Sequence, residues 1–66
     1  MIQNDHELKA TIEYIARLQE QITFMRKMGM NESNYRASSS GYLSEIDKKQ
    51  LDIREYFQTL PEALAA

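Results

Sequence analysis

The sequence predicts an all-α fold, an antiparallel two-helix hairpin, on three observations. Apolar residues recur at steps of three and four in two long blocks. Gly29 stands between the blocks and the sole proline, Pro61, closes the second. When the chain is folded back about residue 34, the two stripes fall into one register, as a helical hairpin requires.

The first helix is expected over residues 4 to 28. Asn4 is placed to cap it, with Glu7 three residues on as in a capping box and Asp5 adding charge that favours the positive end. The stretch MRKMGM marks its end: Arg26 and Lys27 suit the negative end, and Gly29 suits the left-handed position, after which Met30 can fold back onto Met25. Leu8, Thr11, Ile15, Leu18, Ile22 and Met25 form its inward stripe.

The second helix is expected over residues 39 to 59, with its start left open between Ser33 and Ser39. A short helical turn inside NESNYR, begun by Asn31 or Ser33, would break the connection. Ser38 or Ser39 would then cap the regular helix; alternatively, the small side chains from Ala37 to Gly41 let a neighbouring backbone approach. The stripe here is Leu43, Ile46, Gln50, Ile53, Phe57 and Leu60. With numbers across the pair summing to 68, Ile15 would face Ile53 and Ile22 would face Ile46. Gln50 is the polar exception, either fixing register or covering the seam with its methylenes. Residues 61 to 66 are read as a short tail of a single domain.

A chain of 66 residues is close to the size at which one core barely outweighs conformational entropy. Cysteine is absent and His6 is the one histidine, so neither disulfides nor a structural zinc site is expected to help. No cofactor or metal is expected. Association is the remaining aid, and Ile12, Tyr14, Phe24, Met28, Tyr42, Leu51 and Tyr56 lie off the stripes. A homodimer forming a four-helix bundle would cover them; in the alternative, the tyrosines merely roof the hairpin core with their hydroxyls in water. Tyr14, Phe24, Met28, Leu51 and Tyr56 are the expected dimer or partner contacts.

The composition excludes several classes. The net charge of -2 leaves no basic face for nucleic acid, although Arg26 with Lys27 and Lys48 with Lys49 define an alternative reading as a nucleic-acid-associated regulator. No apolar run is long enough for a membrane helix, and acids occupy the N-terminal stretch where a signal peptide carries bases, so a cytoplasmic location is expected. Asp5, His6 and Glu7 are adjacent on a helix and diverge, and the serines at 38 to 40 lie far from His6 in such a hairpin. No catalytic group is expected.

The segments MIQNDHELKATIEYIARLQEQI and SGYLSEIDKKQLDIREYF, joined by a turn, together resemble the N-terminal helical segment of antitoxins of the helix-turn-helix regulator type. The resemblance implies a dimerisation or toxin-contact arm. In that family a DNA-binding domain usually follows; with LPEALAA at the end of this sequence, only the protein-contact part of the role is expected.

Overall fold

The computed structural model describes residues 1–60 as two α-helices, α1 (Asp5–Arg26) and α2 (Glu32–Gln58), packed against each other as a hairpin. No described helix is long and apolar enough to cross a membrane. The expected tail, residues 61 to 66, lies outside the described residues.

Helix α1 starts where its cap dictates. Asn4 is extended and its side chain accepts a hydrogen bond from the Glu7 N–H at 2.8 Å, satisfying one of the free donors of the first turn. Glu7 returns the bond one residue further back than in the usual capping box, its Oε1 accepting from the Gln3 N–H at 2.8 Å. That second bond turns the N-terminal chain, and Ile2, which belongs to neither expected stripe, is buried.

The turn is tighter than the sequence suggested. Lys27 and Met28 close α1 with N–H bonds to the carbonyls of Phe24 and Met25, and Gly29 takes the left-handed backbone at φ +73°, a conformation that strains any residue with a side chain. Asn31 then caps α2 by accepting from the Asn34 N–H at 2.8 Å. From that cap α2 runs unbroken for 27 residues, through NESNYR and ASSSG.

The second helix therefore begins at Glu32 and not near Ser39. Serine and glycine are poor helix formers, but their penalty is at most about 1 kcal/mol each, which packing along the seam offsets. Ser39 shows how: it caps nothing, lies inside α2 and is only 2% exposed.

The hairpin consequently folds about residue 31 and not residue 34. The Tyr56 hydroxyl donates to Asp5 Oδ1, and the Lys49 ammonium lies 5.7 Å from the centre of the Tyr14 ring. The numbers of these pairs sum to 61 and 63, about one heptad short of the expected 68. The face that α2 turns inward is Tyr35, Ser39, Tyr42, Ile46, Lys49, Ile53 and Tyr56, all buried or half-buried, at alternating steps of four and three. Only Ile46 and Ile53 are common to this face and the expected stripe. Leu43, Phe57 and Leu60, expected in the hairpin core, are exposed, because the earlier start of α2 brings a different row of side chains to α1.

Candidate interaction surface

One side of the hairpin carries an open, partly apolar groove between the two helices. Residues 43, 50 and 57 are spaced at seven and occupy one row beside the inward face. On α1 the matching row holds Ile12 and Gln19, with Ala16 between them. Together Ile12, Ile15, Ala16, Gln19, Gln50, Ile53 and Phe57 line an open groove of about 670 Å³, bordered by Arg54 and Gln58. Ile15 is buried and Ile53 half-buried at its floor, while Phe57 stands 68% exposed at its wall.

A second concavity of about 510 Å³ is lined by Ala16, Gln19, Glu20, Thr23, Phe24 and Lys27. Ala16 and Gln19 belong to both, but the second concavity is lined mainly by polar residues and turns towards the outer side of α1, where Phe24 is 62% exposed.

The opposite side of the hairpin holds smaller concavities, of about 240 Å³ beside Thr11, Tyr14 and Lys49 and about 320 Å³ beside Leu18, Gly41 and Tyr42, and more polar contacts. Tyr14 is held between two cations, Arg17 at 5.9 Å on its own helix and Lys49 at 5.7 Å from the other. Lys49 also approaches Glu45 at 4.0 Å. At the open end the Tyr56 hydroxyl donates to Asp5 at 2.5 Å, a bond to a charged acceptor that ties the first turn of α1 to the last turn of α2. The Asp5 carboxylate holds the Tyr56 phenol above its ordinary pKa, first by accepting its hydrogen bond, then through loss of water and through charge repulsion.

The expected contact residues thus separate into two groups. Tyr14 and Tyr56 are half-buried and engaged between the two helices. Phe24, Met28 and Leu51 are exposed; Phe24 lines the second concavity, Met28 lies in the turn, and Leu51 stands on the outer side of α2, away from the groove. Of the groove's exposed walls, Ile12 was among the off-stripe residues expected to be covered on association, though not among the five named contacts, whereas Phe57 was expected in the hairpin core. Phe57 was hidden from a sequence reading because the expected register buried it.

The basic pairs do not converge. Arg26 and Lys27 lie where α1 meets the turn, whereas Lys48 and Lys49 lie in the middle of α2, and Lys49 is already engaged with Tyr14 and Glu45. His6 is exposed in the first turn of α1.

The hairpin is also unusually extended for its mass. A compact 66-residue chain has a radius of gyration of about 11 Å. Here it is 15.1 Å, with extents of 50 × 16 × 12 Å. A folded monomer of 7.7 kDa is expected to expose about 4,300 Å² of surface, and this one exposes 5274 Å². The surplus, roughly 900 Å², is comparable to the area each partner buries in a standard protein interface, about 800 Å². Comparison of the chain with protein-family models, with curated proteins and with solved structures finds no match.

Proposed function

We propose that this protein is a small non-enzymatic interaction module that works as a homodimer and acts on its partners by helical contact. One observation carries the reading: the hairpin exposes about one standard interface more surface than a compact chain of its mass, and the partly apolar groove between its helices is part of it. Only Ile2, Ile15 and Ile46 are buried apolar residues among those described, too few to offset the ordering of so long a chain comfortably. Association supplies the missing burial. A contact role of this kind is what the resemblance to the helical arm of antitoxins implies, and that resemblance supports the same reading.

Light scattering tests it. The expected mass is twice 7.7 kDa, and the melting temperature is expected to rise with protein concentration because association stabilises the folded form. A stable 7.7 kDa species with a concentration-independent melt would overturn the homodimer.

A further inference from the structure

We infer that the turn end of the hairpin opens as a unit of its own: the first turns of α2, residues 32 to 41, unwind from α1 while the rest of the seam stays packed and α1 keeps its helix. The inference is independent of the dimeric reading, because it rests on how burial and helix preference are distributed along a single chain. Burial is uneven. Ile15 and Ile46 are buried at mid-length and Ile2 at the open end, and the polar ties between the helices lie on the same side, the Lys49 ammonium over Tyr14 and the Tyr56 hydroxyl on Asp5. From there to the turn no apolar residue is buried among those described; α2 contributes half-buried Tyr35 and buried Ser39, whose side chain carries almost no apolar area.

Helix preference is weakest in the same place. The run ESNYRASSSG is dominated by serine, asparagine and glycine, which favour the helix less than Leu43, Glu45, Lys48, Lys49 and Gln50 further along α2. The Ser40 hydroxyl donates to the Ala37 carbonyl at 3.1 Å, a side-chain bond that competes with the helix ladder, and nothing packs where a Cβ would stand on Gly41. What holds this segment is local: the Asn31 cap and the Glu32–Arg36 ion pair, whose side chains lie largely in solvent. Opposite it on α1, QEQITFMR is rich in good helix formers and continues directly from the packed part of that helix. So α2 lifts and α1 stays.

Opening has a definite consequence. Leu18, Ile22 and Met25 are half-buried at steps of four and three along α1, and the register sets them against the first turns of α2; Leu18 shares a concavity with Ser38 and Gly41. Unwinding residues 32 to 41 bares that row without unfolding the chain. The turn end of α2 is thus a gate over an apolar row of α1, opened at a lower free energy than global unfolding.

Amide hydrogen exchange on the full chain, at one fixed protein concentration, tests this. The amides of residues 36 to 41 should be at least about tenfold less protected than those of residues 46 to 53. Their exchange should also depend less steeply on denaturant, because the local opening exposes less surface than global unfolding does. Tyr56→Phe removes a bond that survives the local opening and is lost only in global unfolding. It should therefore lower protection at residues 46 to 53 by about fivefold and leave residues 36 to 41 unchanged. Equal protection or equal denaturant dependence of the two sets would overturn the inference, and so would a Tyr56→Phe variant that speeds both sets alike. Should that variant fail to fold, the two wild-type measurements decide alone.

Discussion

Single residues fix the ends of both helices, and asparagine does so twice. Asn4 and Asn31 each accept a backbone N–H three residues on, at 2.8 Å, so each removal leaves a donor unsatisfied in the first turn. Asn4→Ala and Asn31→Ala should each cost about 0.5 to 2 kcal/mol in denaturant unfolding, and Asn31→Ala should also fray the start of α2 in hydrogen exchange. Both caps were legible in the sequence, because capping needs only a short side chain and the right spacing. Tyr56 was not: its role depends on Asp5, 51 residues away, and no local pattern announces such a bond. The folded state holds this phenol above its ordinary pKa, so its contribution to stability is present below pH 10 and is lost as pH rises through the elevated value. Tyr56→Phe removes the titrating group and should flatten that part of the alkaline unfolding curve, measured from pH 9 upward by circular dichroism on the scale set by the phenol's ordinary pKa of about 10.

The two glycines, at the scale of the element, should respond to alanine in opposite directions. Gly29 sits in the left-handed region at φ +73°, so although its added Cβ would meet no neighbouring atom, Gly29→Ala should destabilise by about 1 to 2 kcal/mol through the backbone alone. Gly41 lies within α2 and has open space where a Cβ would stand, so Gly41→Ala should stabilise by about 1 kcal/mol in thermal or denaturant unfolding. That contrast also explains how the second helix was misjudged. Glycine and serine runs raise the odds of a break, yet a weak local preference yields to a well-capped start at Asn31 and to a seam that accepts a side chain as small as Ser39. A heptad pattern compounds the difficulty. Shifting one helix by seven residues presents the same face again, so stripe matching determines register only up to a heptad. The length of the turn chooses between the alternatives, and the rows that α2 buries, with Tyr35, Ser39, Tyr42 and Lys49, carry too little apolar weight to be read as core.

For the whole molecule, the consequence of the slipped register is that Leu43 and Phe57 leave the hairpin core and join its surface, which is where the candidate contact arises. The class of fold was legible because helical periodicity is local; the groove was not, because it is the remainder after the helices have chosen their faces. Shape then offers a test that mass alone does not. Two hairpins stacked side by side have axes separated by about 10 Å, which barely adds to a particle already 50 Å long, so their Cα radius of gyration should be about 16 Å against 15.1 Å for one. Joining them end to end would double the length and raise the value to about 29 Å, taking the 50 Å extent as the separation of centres. Small-angle scattering in parallel with light scattering should therefore find the mass doubled while the radius of gyration, after allowance for side chains and hydration, changes by only about 1 Å. A doubled mass with a radius near the end-to-end value would place the contact at the tips of the hairpin, at Met28 and the turn, and would remove the groove from the interface.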